Sequence, residues 1–148
     1  MAIRNTLKRK EHALLKLQQD RDVWVATADG KGRAHLVPFS LYWDGSRVVV
    51  TTPRSSVSAR NVLKSHQAKL ALGDTRDVVI LDVLVEVADV GPDNAEISNG
   101  FKHRNGWDPR DTSSPYVYFL MTPRRIQVWE SEEELEGRDV MKKGQWLA

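Results

Sequence analysis

Hydrophobic and polar positions change period several times along the chain, and each change marks an element. Among the charges between Thr6 and Gln19, Leu7, Leu14, Leu15 and Leu17 form a short apolar stripe, which predicts a helix capped by Asn5 or Thr6. This helix reads as a lid on the body of the fold. The period then shortens to two. Val23 to Ala28 is strand-like and is followed by the turn chemistry of Asp29-Gly30-Lys31-Gly32. From Ala34 to Trp43 the residues His35, Val37, Phe39, Leu41 and Trp43 alternate with Leu36, Pro38, Ser40 and Tyr42, predicting one strand with two distinct faces. Pro38 cannot donate to a ladder, so this strand belongs at an edge or a bulge. Asp44-Gly45 is a hairpin signal leading into Val48 to Thr52.

Pro53-Arg54-Ser55-Ser56 ends that strand, and Val57 to His66 reads as a short helix with a serine cap. Ala68 to Gly73 and Val78 to Ala88 are two further strands, joined through Asp74-Thr75-Arg76-Asp77. Asp93 and Glu96 have the spacing of a capping box, with Ile97 and Phe101 on one helix face and a stop near Gly106. Trp107 to Pro115 reads as a loop, and Tyr116 to Trp129 as a long strand bent or bulged around Pro123. Ser131 and Glu134 predict a second capping box and a brief helix ending at Gly137. The Met141 to Leu147 tail carries an apolar pair that docks on the body. Six strands with mostly hairpin connections point to a mainly β protein, a small antiparallel barrel with flanking helices. Residues 1–148 form one domain in this reading: an N-terminal helix over 5–20, a barrel over 22–130, and a C-terminal helix and tail over 131–148. A six-stranded barrel is narrow and filled by side chains, so a flat ligand must lie outside it, in a groove shared with a second subunit.

Composition narrows the classes. The 148 residues suit one domain, and 41% hydrophobic with 28% charged residues is the range of a soluble globule, not of a disordered chain. No apolar run approaches the ~20 residues of a membrane span. The basic N-terminus lacks the apolar centre of a secretory signal, and a cytoplasmic address follows. The absence of cysteine excludes disulfide scaffolds, thiol catalysis and Cys-ligated metal sites. His12, His35, His66 and His103 lack metal-ligand spacing, so no metal is assigned. The 22 basic residues nearly balance the 20 acidic ones. Although Lys8-Arg9-Lys10 and Arg124-Arg125 are basic, aromatic residues are not interleaved with them as a nucleic-acid stacking platform requires.

The richest stretch for chemistry is Thr51 to Asn61, where a strand ends in two hydroxyls, a serine-rich loop follows and a helix begins. Unpaired N–H groups and the positive dipole end of a helix attract anions. Arg54 precedes that end, and Arg60 and Lys64 lie four apart on one face. A phosphate reader and a well-capped surface helix share this pattern. It is not a Walker loop, because the glycines and the Gly-Lys-Ser/Thr ending are missing.

In order along the chain, Ala26-Thr27-Ala28-Asp29-Gly30, Ala34-His35-Leu36-Val37-Pro38, Trp43-Asp44-Gly45, Thr51-Thr52 and Ser58-Ala59-Arg60-Asn61-Val62 resemble the pyridoxamine 5′-phosphate oxidase-like split β-barrel family. The resemblance is nearest to its flavin/deazaflavin oxidoreductase branch, and the ending from Ile126-Gln127-Val128-Trp129 to Gly144-Gln145-Trp146-Leu147 is similar to many members. It implies a homodimer with cofactor sites at the subunit interface, a small-molecule substrate, and coenzyme F-420 or, alternatively, FMN as cofactor. By the same resemblance Thr51, Thr52, Ser56, Ser58, Arg60 and Asn61 would face the cofactor phosphate, with Arg54 or Lys64 beside them. The strand containing Val37, Pro38 and Ser40 would run along the ring. Many relatives carry Lys where this chain has Ser58, which removes one cation. That departure keeps open a non-enzymatic holder of flavin, haem or another tetrapyrrole on the same scaffold. Trp107 is either a plug on the core or a lid over the ring from the partner subunit. Trp43 reads as core or interface, and Val78 to Val87 is a strand able to build the dimer contact. Tyr42, His35 and His103 are the available acids. None has a partner that marks it, so the catalytic residue stays unknown. Hydride transfer belongs to the cofactor and asks for orientation and a dry face more than for side-chain chemistry.

Overall fold

Nine strands occur among the described residues of the computed structural model, which describes residues 3–148. Met1 and Ala2, part of the basic N-terminus and of the single domain read from the sequence, lie outside the described residues. In chain order the elements are α1 (Thr6–Gln19), β1 (Asp22–Ala28), β2 (Ala34–Ser40), β3 (Tyr42–Trp43), β4 (Val48–Pro53), α2 (Val57–Ser65), β5 (Gln67–Asp74) and β6 (Asp77–Asp89). After them come α3 (Ala95–Asn105), β7 (Tyr116–Trp129), β8 (Asp139–Lys142) and β9 (Gln145–Trp146). The sheet is antiparallel in the order β2-β1-β5-β6-β7-β4-β3, with β8 and β9 added beside β7. Six of these strands are long and correspond to the six expected; β3, β8 and β9 are short additions.

The strand predicted from Ala34 to Trp43 is split at Leu41, and the split closes the barrel. β2 and β3 lie at opposite ends of the sheet yet are separated by that one residue. Leu41 is fully buried and its N–H donates to the Arg21 carbonyl at 3.0 Å, so the chain turns inward there and changes partner from β1 to β4. β2 pairs only with β1, which leaves Pro38 on an edge strand where its missing donor is tolerated.

Strand alternation sends Val23 and Val25 of β1, Leu70 and Leu72 of β5, and Val79, Leu81, Val83 and Val85 of β6 into one core. On β7 the inward parity is odd through Pro123 and even from Ile126. The phase changes because the β6–β7 register passes from Val83 opposite Pro123 to Asp82 opposite Arg125, leaving Arg124 as an extra, bulged residue. The expected irregularity at Pro123 thus falls one position later. Residues 117–121 are buried on both faces because α3 covers the outer side, where the Ser98 hydroxyl and the Tyr118 hydroxyl share a hydrogen bond of 2.6 Å.

Four local expectations change. The buried face of α1 is Arg9, Ala13 and Leu17; of the leucine stripe Leu17 docks and Leu14 is half-buried, whereas Leu7 and Leu15 are exposed, because the spacing of four from 9 to 17 points at the barrel. Its Asn5 cap is present, accepting from the Lys8 N–H at 2.8 Å. The Asp93–Glu96 capping box does not form: a single turn at Pro92–Asn94 precedes α3, which starts at Ala95 without a side-chain cap. The Ser131–Glu134 box fails as well. The C-terminal helix expected after 131 is one 3-10 turn over Glu132–Glu134, and the tail is the β8–β9 hairpin. Lys143 and Gly144 both have positive φ at its turn, the backbone that a tight two-residue hairpin loop demands.

Glu134 is drawn inward, away from helix capping. It is 1% exposed, and its carboxylate accepts from the Arg4 N–H at 2.9 Å, from the Arg4 guanidinium at 2.8 and 3.1 Å, and from the Glu130 N–H at 2.9 Å. Those Arg4 bonds, led by the guanidinium, hold its pKa down to about 2 against the opposing effect of burial. Beneath it the buried Arg9 guanidinium donates to the Glu134 and Val128 carbonyls at 3.1 and 3.4 Å, while its Nε has no partner. This clamp ties the N-terminal helix to the C-terminal segment. No helix among the described residues is long and apolar enough to cross a membrane.

Candidate functional site

The β1–β2 turn is built by one carboxylate. Asp29 accepts from the Lys31 and Arg33 N–H groups at 2.8 and 3.0 Å and from Arg33 Nε at 2.6 Å. The Arg33 N–H, then its guanidinium, then the Lys31 N–H push the Asp29 pKa down to about 2. The turn stands opposite the outer face of α2, and between them lies a cleft of about 520 Å3 lined by Asp29, Gly30, Arg33, Val57, Arg60, Asn61, Leu63 and Lys64. Asn61 anchors the helix to the sheet, its Nδ2 donating to Thr27 Oγ1 at 3.0 Å in a buried contact. Ser56 caps α2 by accepting from the Ala59 N–H at 3.1 Å. The Arg60 guanidinium reaches back to the Ser55 carbonyl at 3.0 Å and, like the Lys64 ammonium, has no carboxylate partner among the described residues. The cleft therefore offers two uncompensated cations and one, Arg33, already neutralised by Asp29.

A second depression adjoins the first. Ala28, Ala34 and Ser65 line it, while their chain neighbours Asp29, Arg33 and Lys64 line the cleft. This groove, about 580 Å3, is lined by the outward Ala26, Ala28, Ala34 and Leu84, by Ala68 and Val83 on the core side, and by Lys69, Asp82 and Arg124. Lys69 and Asp82 pair with each other at 3.1 Å. Around the groove the outer sheet face carries exposed Trp24 (46%), Leu36 (59%) and Leu84 (49%). Cations stand at one end and flat apolar surface at the other.

Residues named from the sequence are distributed unevenly over this geometry. Arg60 and Asn61 line the cleft, and Ser56 and Ser58 belong to the same helix start, although Ser58 is 1% exposed. Thr51 and Thr52 are adjacent in β4 and so leave opposite faces of the sheet. Both are buried, and Thr51 donates to the Val117 carbonyl at 2.9 Å. One ligand cannot meet both hydroxyls. Arg54 turns away from Arg60, pairing with Asp89 beside Arg110 and Pro115 in a separate pocket. On β2, Val37 lies opposite the inward Val25, while Pro38 and Ser40 lie opposite the outward Trp24 and Asp22. Trp107 stands edge-on to Phe101 and Tyr116 with ring centroids at 5.3 and 6.2 Å, a stack against α3 outside both the cleft and the groove. Of the possible acids, Tyr42 packs against Gly100, where any Cβ would collide with its ring, and burial raises its pKa. His103 is exposed on α3, and His35 is half-buried on β2; neither lines the cleft or the groove.

Sequence reading missed Arg33, Arg124 and the alanine floor. Arg33 had a local signal, four residues after the Asp of a glycine turn. The floor had none, because it assembles from β1, β2, β5 and β6. The basic runs disperse: Arg9 is buried, Lys10 stacks over Trp146 at 5.0 Å, and Arg125 pairs with Asp139 at 2.8 Å. No three His, Asp or Glu side chains among the described residues are grouped as a metal site.

No family model and no curated protein matches the sequence. Solved structures do match in shape. A conserved hypothetical protein of Mycobacterium tuberculosis superposes with a TM-score of 0.71 at 16% identity, covering 88% of this chain and 90% of its own. A putative pyridoxamine 5′-phosphate oxidase of Listeria innocua gives 0.68 at 14%, covering 82% and 98%. An F-420 reductase gives 0.63 at 17%, covering 76% and 93%. The fold is that of the pyridoxamine 5′-phosphate oxidase-like split β-barrels.

Proposed function

We propose that the chain is an oxidoreductase of the deazaflavin type, binding coenzyme F-420, with FMN as the alternative cofactor, and acting as a homodimer on a small unsaturated or carbonyl-containing substrate. The observation that carries the reading is the adjacency of the cationic α2 cleft and the flat apolar groove on one uncovered sheet face. A ring-and-phosphate cofactor needs that pair of surfaces in that order. Arg60, Lys64 and Asn61 would hold its anionic part, the guanidinium supplying a fork suited to phosphate oxygens. The alanine floor would receive the ring, with Pro38 and Leu36 beside it on the outer face. When bound, the cofactor supplies hydride transfer, and the protein supplies orientation and a water-poor surface. Dimerisation follows from the same face: exposed Trp24, Leu36 and Leu84 form an apolar area of the kind that marks an interface. Covering it with a second copy would bury the groove.

A non-enzymatic holder of flavin, haem or another tetrapyrrole is the second reading, favoured by Ser58, which is buried and adds no cation. Titration of the purified protein with F-420, FMN and haemin, followed by fluorescence and absorbance, separates the two. Saturable F-420 or FMN binding that weakens in Arg60→Ala supports the oxidoreductase reading. Binding of haemin alone moves the assignment to the second, and F-420 affinity indifferent to Arg60→Ala refutes the phosphate placement.

A further inference from the structure

The β7 bulge does more than bend a strand. Because it inserts one residue, Arg124 and Arg125 follow each other on the outer side of the sheet, whereas strict alternation would have sent one of them into the core. Their partners differ. Arg125 is held by Asp139 at 2.8 Å. Arg124 is exposed, borders the apolar groove, and has no carboxylate within ion-pair distance among the described residues. Its nearest cationic neighbour on the groove, Lys69, is already neutralised by Asp82.

The C-terminal hairpin positions this guanidinium. The Gly144 N–H donates to the Arg124 carbonyl at 2.8 Å, fixing the bulge from outside. A Cβ on Gly144 would stand 2.6 Å from Arg124 Nη1, so the guanidinium crosses the turn where a side chain is missing. An exposed planar cation without a carboxylate partner thus lies over the hairpin turn on a residue that also lines the apolar trough.

We propose that Arg124 recognises the acid group of the ligand in this groove, and that the ligand is a flat, carboxylate-bearing molecule. The charge argues for a carboxylate over a phosphate. One uncompensated guanidinium presents two parallel N–H donors, which match the two oxygens of a monoanion. The richer donor set for a dianion is in the α2 cleft, with Arg60 and Lys64. The Leu84 side of the groove, which the β6–β7 pairing sets near Arg124, takes the flat body and leaves the alanines to the cofactor ring. The inference rests on the functional reading above in one respect: there, this molecule is the substrate beside the cofactor ring.

The test uses 2-naphthoate and its neutral isostere 2-naphthamide as probes, with affinities from calorimetry on the whole protein. The unaltered protein is expected to prefer the acid by about tenfold, the scale of one charge-assisted hydrogen bond. Arg124→Gln should bring the two affinities within about twofold of each other, and Arg124→Lys should restore part of the gap. Because residue 124 is exposed, fold loss does not confound the result, and thermal melting checks this. Equal affinity of the two probes for the unaltered protein, or a preference that survives in Arg124→Gln, overturns the proposal. So does a preference abolished by Arg60→Gln and kept by Arg124→Gln, since the acid would then sit in the α2 cleft. Parallel F-420 and FMN titrations keep the two readings apart. If neither cofactor binds while the Arg124-dependent preference persists, the oxidoreductase reading fails and the carboxylate site stands.

Discussion

Two regions of the molecule use arginine in opposite ways. At the clamp, Arg4 and Arg9 are drawn in around Glu134, and that carboxylate accepts four hydrogen bonds while 1% exposed. Around the outer sheet face, Arg60, Lys64 and Arg124 border concave surfaces with no carboxylate to answer them. Desolvated charge is tolerated at the first because the Glu134 carboxylate is paired with Arg4 and the Arg9 guanidinium donates to two main-chain carbonyls. At the second, water and salt compensate the cations only until a ligand displaces them. The difference teaches that ion pairing sorts the charges that hold the fold from the charges free to bind.

That division is open to direct attack. The largest effect belongs to Glu134→Ala, which leaves the Arg4 guanidinium and the Arg4 and Glu130 N–H groups without their shared acceptor and should cost about 3 kcal/mol in denaturant unfolding. A cost near zero would dissolve the contrast. The same clamp predicts an acid limit. The Glu134 pKa is lowered from 4.5 to about 2 in the folded chain, so its contribution to stability is complete above pH 4.5 and disappears as pH falls toward 2. Glu134→Gln should flatten that part of a stability–pH curve. On the other side, the pair Arg60→Gln and Lys64→Gln should weaken F-420 or FMN binding by about tenfold or more. The same pair should move stability by no more than about 0.5 kcal/mol, as expected of exposed residues. A large loss of stability without loss of binding would place those cations with the clamp. Ser56→Ala gives the smallest change, about 1 kcal/mol for the lost α2 cap, read as a small fall in melting temperature. Because the cap orients the cleft-lining helix, a modest drop in cofactor affinity should accompany it.

Legibility from the sequence followed the range of the interactions. Strands β1, β4, β5, β6 and β7 were visible because alternation is local, as were the Asn5 and Ser56 caps, which need partners only three residues away. The Ser131–Glu134 capping box failed for a tertiary reason. Glu134 found Arg4, 130 positions away in the chain, and a bidentate guanidinium holds the carboxylate more strongly than a short helix start. The leucine stripe was right for Leu17 and wrong for Leu7 and Leu15, since α1 is oriented by where Arg9, Ala13 and Leu17 fit against the barrel. At the site, Arg60 and Asn61 could be singled out because they follow a serine cap on one helix. Thr51 and Thr52 were grouped by proximity in sequence, although adjacent strand residues face apart.

The sequence by itself determined the element types and the antiparallel barrel class, because turn chemistry and hydrophobic period act between near neighbours. It also singled out α2 as the helix that carries Arg60 and Lys64 behind a serine cap. Only the tertiary structure decided that β2 and β3 part at Leu41 to close the barrel, that Arg54 departs to Asp89, and that alanines from several strands form one floor. It also decided that Arg33 and Arg124 border the same face. These outcomes depend on which distant groups meet when the sheet curls, and distance along the chain carries no record of that meeting.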